Sequence, residues 1–539
     1  MKKIFLGEKM SLSNLDLWVL GAYAVMLLGV ALYVSREKDG HSKNTEDYFL
    51  AGKSLPWWAI GASLIAANIS AEQIIGMSGE GFRIGLAIAA YEWQAAIVLI
   101  LVAKYFLPIF LKREIYTMPQ FLETRYGSGV KTLMSGYWIF LYTAVNLTTV
   151  LWLGALAVNT LTGLSILTSM AALGGFAILY SYWGGLKAVA LTDIIQVVIL
   201  VIGGFIIAWL TMGIIGGDSG VLGGFERMYT ELPGKFDMIF EKDQYGYDTM
   251  PGIWTLLGGL WILHLNYWGF NQYIIQRALG AKDIREAQKG LVFAAALKLL
   301  MPLIIVLPGI AAVMLATPEF GVLNTEVLAD KTDRAYPEVM RIMPSGLRGL
   351  IFAALVAAIV SSLASMMNSI STIFTMDIYK MAKSGRSESH YVMVGRLTAV
   401  SAMIFAVIIA QPIFQNMESA FQTVQELTGY VAPGVVSVFL LGMFYKSANS
   451  SGAYAMLIAS IVLSPAVAFF FPDFQFVNRI WAIFLGCAVL GVVVSKFTNA
   501  PLKEQSVNLG DINFKTSASF NMWSVIIGLS LIALYAAFW

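Results

Sequence analysis

Stretches of mostly apolar residues, each long enough to cross a lipid bilayer, follow one another along almost the whole chain. A spanning helix needs roughly 20 such residues, and the polar segments between the stretches are too short for a separate soluble domain. The sequence therefore predicts an all-α membrane protein with about fourteen transmembrane helices, in which residues 1–539 form one transmembrane domain. The predicted helices are 14–35, 55–78, 84–110, 131–162, 164–183, 188–215, 251–275, 286–318, 346–380, 391–412, 416–443, 447–471, 476–496 and 521–538.

Charge and cysteine content narrow the function classes. Only 13% of the residues are charged, whereas soluble domains have about 25%. The formal net charge of +2 gives no reason to expect a nucleic-acid partner. The single cysteine, Cys487, excludes a disulfide framework, and the three histidines lie far apart in the sequence. We find no nucleophile–base pair and no metal-ligand motif, so the sequence does not predict an enzyme.

The distribution of lysine and arginine predicts the orientation in the membrane. Most of the 35 basic residues lie in alternate loops, and such loops are usually cytoplasmic. Lys112, Arg277 and Lys380 are examples of residues that we expect in cytoplasmic loops. An even number of spans then places both termini outside. We therefore expect a multi-pass protein of the bacterial inner (plasma) membrane, surrounded by lipid, with extracytoplasmic termini.

The helices group into two halves. Residues 55–215 and 251–443 each form a potential five-helix repeat, and 14–35 and 447–538 are peripheral. Each half opens with an apolar helix that polar residues interrupt, at Asn68–Ser70 and at Asn266–Asn271. Paired interrupted helices indicate inverted repeats with a binding site between them. A polar kink that packs against a neighbouring helix would give the same pattern.

Charged side chains lie inside four of the apolar stretches, where they cost several kcal/mol unless paired or hydrated. They are Glu72, Glu92, Asp193 and Lys298. Glu92 and Lys298 have two interpretations. They can form a structural ion pair, or they can line a cavity for an uncharged sugar, because an ionised carboxylate accepts hydrogen bonds and an ammonium donates them.

Other polar and aromatic residues fit a sugar cavity as a group. Gln73 and Gln425 carry amides that both donate and accept hydrogen bonds. Tyr267 and Trp268 offer flat apolar faces for a pyranose ring, although any single aromatic residue is more often part of the core. The residues that could close a lid are Met77, Tyr91 and Phe421.

Ser361 and Ser362 lie in the middle of an apolar helix. Hydroxyls in such a position usually bond back to a carbonyl of their own helix. Alternatively, they provide oxygen ligands for sodium, together with carbonyls exposed where the first helix is interrupted near Asn68. The residues alone leave both interpretations open.

Several long segments are distinctive enough to compare with known proteins. They are NTEDYFLAGKSLPWWAIGASLIAANISAEQ (44–73), GGLKAVALTDIIQ (184–196), YWGFNQYIIQR (267–277), AQKGLVFAAALK (287–298), AAIVSSLASMMNS (357–369) and TIFTMDIYK (372–380). These segments resemble the sodium:solute symporter family, most closely its bacterial galactose-carrying members. Residues 184–196 look like the family's signature, and the resemblance extends over nearly the whole chain.

The resemblance implies a leucine-transporter-type fold, with ten core helices in two inverted five-helix repeats. It also implies a sugar site supported by Asn68, in which Tyr267 stacks on the sugar as an inner gate beside Trp268. Asn146 would help to hold this gate. The implied contacts to sugar hydroxyls are Gln73, Glu92, Lys298 and Gln425. The implied outer gate consists of Met77, Tyr91 and Phe421.

For sodium, the coupled ion, the resemblance implies a set of oxygen ligands. They are the carbonyl groups of Ala66, Ile69 and Ala358 and the hydroxyl groups of Ser361 and Ser362. Asp193 would lie on the sodium exit path.

Two positions depart from the pattern of the galactose-carrying members. His264 replaces an asparagine and Ala95 replaces a serine, and both positions face the sugar in the family. His264 therefore stays among the candidate sugar-binding residues, while the identity of the sugar stays open. We expect a sodium-coupled symporter that imports a hexose such as galactose or glucose. The same pattern admits myo-inositol or a sialic acid, and less readily a non-transporting sugar sensor or a channel. The sequence does not define an oligomeric state.

Overall fold

A computed structural model describes residues 12–34, 50–415, 417, 419–498 and 509–539. Within these ranges the protein is helical, with one isolated backbone bridge between Leu55 and Ala281. The all-α prediction is therefore confirmed for the described residues. Residues 35–49, which contain three further basic residues that we expect in a cytoplasmic loop (Arg36, Lys38 and Lys43), lie outside the described residues.

The helices are numbered in chain order. The first group is α1 (Asn14–Val34), α2 (Trp57–Asn68), α3 (Ser78–Ile84), α4 (Ala90–Leu101), α5 (Leu107–Lys112), α6 (Met118–Tyr126), α7 (Ser128–Phe140), α8 (Thr148–Thr162) and α9 (Ile166–Gly216). The second group is α10 (Gly220–Glu231), α11 (Ile253–Leu257), α12 (Leu260–His264), α13 (Gln272–Leu279), α14 (Ile284–Leu315), α15 (Thr325–Asp330), α16 (Ala335–Arg341) and α17 (Leu347–Ile373). The third group is α18 (Lys380–Ala382), α19 (Glu388–Phe414), α20 (Ala420–Gly429), α21 (Ala432–Phe444), α22 (Ser450–Phe470), α23 (Phe476–Phe497) and α24 (Ala518–Ala537).

Length and apolar composition identify fewer spanning helices than the apolar stretches predict. Among the described residues, nine helices are long and apolar enough to cross a membrane, or ten if α20 and α21 are counted as one bent span. The number fourteen is therefore not confirmed. Part of the difference arises at the breaks. The break at Ile69 leaves α2 too short to qualify, while the residues from Glu72 onward join the following helix in one span, Glu72–Lys112. The predicted helix 251–275 is divided into pieces that are all too short.

Two predicted helix boundaries need correction. The predicted helices 164–183 and 188–215 are one continuous helix, α9. The segment between them contains no proline, so every residue keeps the amide hydrogen that a helix needs. Side chains at 180 and 182–191, which include most of the signature-like segment, lie outside the described set.

The predicted helix 416–443 is instead two helices, α20 and α21, that meet at 44°. Pro433 near the start of α21 explains the break, because proline is tolerated in the first turn of a helix and not in its interior.

The first interrupted helix is broken where the polar residues predict. Helix α2 ends at Asn68, and Ile69 has a non-helical backbone (φ −74°, ψ 73°). The Ser70 amide donates to the Asn68 carbonyl at 2.7 Å. In a continuous helix it would donate to Ala66, so the break removes the usual intrahelical donor from the Ala66 carbonyl.

The second break lies at Asn271. The chain passes from α12 through the π-helical segment Leu265–Phe270 to an extended residue at Asn271 (φ −79°, ψ 122°) before α13 begins. The Tyr142 hydroxyl donates to Asn271 Oδ1 at 2.7 Å and accepts from the Gln272 amide at 2.7 Å. A side chain from another helix therefore satisfies backbone and side-chain groups that the break exposes.

Helices α2 and α9 lie at the centre of the bundle, where they pack against each other and each packs against α14 and α17. Small residues allow α2 and α14 to approach closely: a Cβ atom on Gly61 would lie 2.7 Å from the Gly290 carbonyl oxygen. In the most apolar window of the helix that contains α17, 89% of the residues are buried, against 17% in α24. The apolar outer faces of the peripheral helices are therefore left for lipid.

Candidate functional site

A cavity lies between the two broken helices. Its walls come from the segments that follow the break in α2, and from α4, α12, α14, α20 and the Leu265–Phe270 segment. The lining residues are Asn68, Glu72, Gln73, Met77, Tyr91, Glu92, Leu263, His264, Tyr267, Trp268, Lys298, Phe421, Gln425 and Thr428. Every predicted sugar-binding residue and every predicted gate residue except Asn146 is in this set.

An ion pair lies at the cavity wall. Lys298 Nζ of α14 is 2.6 Å from Glu92 Oε2 of α4, and both side chains are at most 2% exposed. The same ammonium donates to Asn68 Oδ1 and lies 4.9 Å from the centre of the Trp268 ring. An ammonium has three N–H groups, so one stays available for a solute.

A tyrosine cluster closes one side of the cavity. The Tyr267 hydroxyl accepts hydrogen bonds from Asn68 Nδ2 at 3.1 Å and from the Tyr273 hydroxyl at 2.7 Å. The Tyr267 and Trp268 rings meet edge to face, with centroids 5.0 Å apart. Tyr273 and Tyr142 also contact edge to face. These bonds fix the Tyr267 ring from both broken helices.

Tyr142 and Tyr273 are additions to the predicted site. In the sequence they look like ordinary aromatic core residues, and only their proximity to the polar break at Asn271 could have singled them out. Asn146 was predicted to help hold the inner gate. It is buried in the π-helical segment Leu141–Leu147, outside the cavity lining, and its Oδ1 atom has no partner among the described residues.

The three residues predicted to form an outer gate, Met77, Tyr91 and Phe421, all line the cavity. Tyr91 packs edge to face against Phe421 of α20, with ring centroids 5.6 Å apart. A Cβ atom on Gly76 would lie 2.7 Å from Phe421 Cβ. Glycine at this position therefore lets α20 approach closely enough for Phe421 to close over the cavity.

His264 contributes to the cavity wall with one ring nitrogen uncommitted. The ring forms a hydrogen bond to the backbone of Ala90, and Nε2 has no partner among the described residues. The ring lies edge to face against Tyr91, at 6.2 Å between centroids.

Ala95 is fully buried and does not line the cavity. Glu72 lines it and has Oε1 without a described partner, although the sequence suggested no role for this carboxyl group.

The predicted sodium ligands lie where α17 passes the break in α2. The Ser362 hydroxyl donates to the Ala67 carbonyl at 3.1 Å, and the Ser361 hydroxyl donates to Asp193 Oδ1. Both hydroxyls give their hydrogen to another group, so their lone pairs stay free for a cation. Together with the Ala66 carbonyl that the break frees, these groups are the uncharged oxygen donors that a hard cation prefers.

The environment of Asp193 corrects one prediction. Arg277 was placed in a cytoplasmic loop, whereas the structure buries it in α13 with its side chain 1% exposed. Its Nη2 atom lies 3.5 Å from Asp193 Oδ2. The assignment to a loop failed because Arg277 lies at the end of an apolar stretch, where a hydropathy window cannot distinguish a buried cation from a loop residue.

A cavity lined by polar and charged side chains between two broken helices, in a helical bundle with apolar outer faces, defines a multi-pass membrane transporter. The model of the sodium:solute symporter family matches residues 48–460. This chain belongs to the sodium:solute symporter family.

Known relatives agree with this membership. A sodium/glucose cotransporter of Vibrio parahaemolyticus is 48% identical over 537 residues, which cover 98% of this chain and 99% of the relative. Sodium/glucose cotransporter 2 of Rattus norvegicus is 34% identical over 87% of this chain and 74% of its own length. Sodium/myo-inositol cotransporter 2 of Mus musculus is 33% identical over 84% of this chain and 70% of its own length.

A solved structure shares the fold. A substrate-bound, outward-open Na⁺-coupled sialic acid symporter superposes with a TM-score of 0.80, covering 91% of this chain and 99% of that chain. The two chains are 23% identical, so the likeness concerns the fold alone.

Proposed function

We propose that this chain carries a hexose, such as glucose or galactose, into the cell together with sodium by alternating access. The observation that supports the proposal most directly is the buried Lys298–Glu92 ion pair at the cavity wall. One donor group and one acceptor group of opposite charge keep that wall near neutral, which suits an uncharged solute rich in hydroxyl groups. The names of the glucose-carrying relatives point in the same direction.

Within this proposal, the polar side chains of the cavity each form hydrogen bonds to hydroxyl groups of the sugar. Glu92 and the Nε2 atom of His264 accept hydrogen bonds, and Lys298 donates one. Gln73 and Gln425 do both. Gln73 is already positioned by the Ser70 hydroxyl, which donates to its Oε1 at 3.2 Å. Asn68 supports the site by linking Lys298 to Tyr267.

Two gates enclose the sugar in this proposal. Tyr267 and Trp268 form the inner gate, and Asn146 lies behind it in the Leu141–Leu147 segment. Met77, Tyr91 and Phe421 form the outer gate. Alternating access would open these two gates in turn.

Sodium is carried as the driving ion, with ligands from Ala66, Ile69, Ala358, Ser361 and Ser362 and an exit past Asp193. The Ser361–Asp193 hydrogen bond links that cage to the exit residue. Moving one charge through 100 mV provides about 2.3 kcal/mol, and a tenfold sodium gradient adds about 1.4 kcal/mol. One sodium per sugar could therefore concentrate the sugar roughly several hundredfold.

The proposed membrane arrangement is a leucine-transporter-type core. Residues 55–215 and 251–443 would be its inverted repeats, with about fourteen spans in all when the broken helices are counted. The protein would lie in the bacterial inner membrane with both termini outside. The breaks at Ile69 and Asn271 support the repeat, because they occupy corresponding positions in the two halves.

Myo-inositol is the second candidate solute, because it is also an uncharged polyol and a relative carries it by name. A sialic acid fits less well. Its carboxylate needs a cationic partner, and the described cavity lining contains no arginine and one lysine, already paired with Glu92.

Radiolabelled uptake into proteoliposomes tests the proposal. With an inward sodium gradient, the purified protein should accumulate glucose or galactose, and an equal potassium gradient should not support uptake. Counterflow with unlabelled glucose, galactose, myo-inositol and a sialic acid ranks the solutes. Uptake that is equal in sodium and potassium would refute coupling, and counterflow by myo-inositol alone would replace the hexose.

A further inference from the structure

Arg277 is buried in the protein outside the lining of the sugar cavity, and it forms hydrogen bonds to several elements. Its Nε atom donates to the Ser63 hydroxyl of α2 at 2.6 Å. Its Nη1 atom donates to the Tyr273 carbonyl, and Nη2 donates to the Ser365 hydroxyl of α17 at 2.5 Å. A fully buried guanidinium with this many partners has a defined position rather than a flexible one.

Arg277 and the proposed sodium cage share the same carboxylate. Asp193 Oδ2 lies 3.5 Å from Arg277 Nη2 and accepts from the Ser63 hydroxyl at 2.5 Å. Asp193 Oδ1 accepts from the Ser361 hydroxyl, one of the proposed sodium ligands. The Ser365 hydroxyl that Arg277 contacts also donates to the Ser361 carbonyl at 2.7 Å. Arg277 and sodium would therefore approach Asp193 from adjacent sides.

A buried carboxylate needs a compensating charge at every step of a transport cycle, because an uncompensated charge in the membrane interior costs several kcal/mol. Sodium can compensate Asp193 only while sodium is bound nearby. Arg277 is the one guanidinium or ammonium group that the described structure places in an ion pair with Asp193.

We propose that Arg277 is an internal cation that competes with sodium for Asp193. It neutralises Asp193 when the sodium cage is empty, and it lowers the sodium affinity of the neighbouring cage. Weak sodium binding in the cage favours release of sodium past Asp193. Because the Asp193 carboxylate is paired with Arg277, no unpaired charge is left there for a second cation. The inference rests on the proposed sodium cage and adds a positioning residue that acts through Asp193.

Arg277→Gln tests this role by equilibrium ²²Na⁺ binding to the purified full-length protein in detergent, without sugar. Removing the competing cation should tighten sodium binding at least tenfold. In an Asp193→Asn background the same change should have little effect, because no carboxylate remains to compete for. Arg277→Lys keeps the charge without the planar fork, and its sodium affinity should lie between those of the wild type and Arg277→Gln.

Ser369→Ala is the matched control. The Ser369 hydroxyl donates to Gln276 Oε1 at 3.0 Å and joins the same two helices, α13 and α17, away from Asp193. This variant should leave sodium affinity unchanged. Should Arg277→Gln weaken sodium binding, or change it equally with and without Asp193, Arg277 is only a structural link. If Arg277→Gln does not fold, Arg277→Lys decides: wild-type or weaker sodium affinity in that variant overturns the inference. No sodium binding by the wild type would refute the proposed function itself.

Discussion

Replacing one partner of the Lys298–Glu92 pair should remove sugar binding for a reason that the structure makes quantitative. The two charges are 2.6 Å apart and nearly fully buried. Leaving one buried charge without its partner costs about 3–5 kcal/mol. A hydrogen bond from a charged group to a sugar hydroxyl is worth about 1.5–3 kcal/mol, so its loss alone weakens binding by roughly 10- to 150-fold. Lys298→Met should therefore lose both stability and affinity.

The double variant Glu92→Gln, Lys298→Met separates the two effects. It leaves no unpaired charge, so we expect thermal stability to recover, while sugar affinity stays at least tenfold below that of the wild type. Thermal unfolding and equilibrium binding of radiolabelled glucose, both in detergent, measure the two quantities. Lys104→Met is the matched control, because Lys104 lies in a predicted span over the Tyr105 ring and outside the cavity lining. Recovery of stability and sugar affinity together in the double variant would show that the pair is only structural.

Three further changes have defined outcomes. Ser361→Ala or Ser362→Ala removes a proposed sodium ligand and should raise the sodium concentration for half-maximal uptake at least tenfold. The control Ser371→Ala, on the same helix, should not. If the sodium dependence is unchanged in both Ser361→Ala and Ser362→Ala, neither serine belongs to the cage. His264→Asn should change the ranking of glucose, galactose and myo-inositol in competition assays, because Nε2 is uncommitted, and an identical ranking would show that His264 does not contact the sugar. Burial raises the pKa of Asp333, which lies outside the spans, to about 7. The folded protein therefore binds a proton at this carboxyl group more tightly than the unfolded chain does. As a result, the free energy of unfolding should fall by up to about 1.4 kcal/mol per pH unit from about pH 4 to about pH 7. Asp333→Asn should reduce the stability difference between pH 5 and pH 8 in thermal unfolding, and the same difference in both proteins would contradict this.

The parts of the fold that the sequence predicts are those governed by local chemistry. Apolar stretches identify helices because lipid requires internally bonded backbone. Polar residues at Asn68 and Asn266–Asn271 mark the breaks, since apolar side chains cannot satisfy freed carbonyl and amide groups. The continuity of α9 was missed because Gly184–Gly185 and Lys187 look like a loop, although nothing there prevents a helix.

The candidate site was also only partly predictable from the sequence. The sequence alone singled out Glu92 and Lys298, because charge in an apolar helix is rare and costly. It could not show that the two meet, since helix packing brings α4 and α14 together over a separation of 206 residues. The sodium cage came from the family resemblance, because Ser361 and Ser362 have an equally good local explanation. Arg277 was missed because its partner Asp193 lies on another helix.

The ratio of sodium to sugar transported tests the central claim most directly. Parallel uptake of ²²Na⁺ and radiolabelled glucose into the same proteoliposomes, started by a glucose gradient without a sodium gradient, measures this ratio. We predict one sodium ion for each sugar. Ala358 has no side-chain oxygen that could bind a second sodium ion, and the Asp193 carboxylate is already paired with Arg277. Glucose entry without any sodium entry would contradict sodium-coupled symport, and a ratio of two would contradict the single sodium cage.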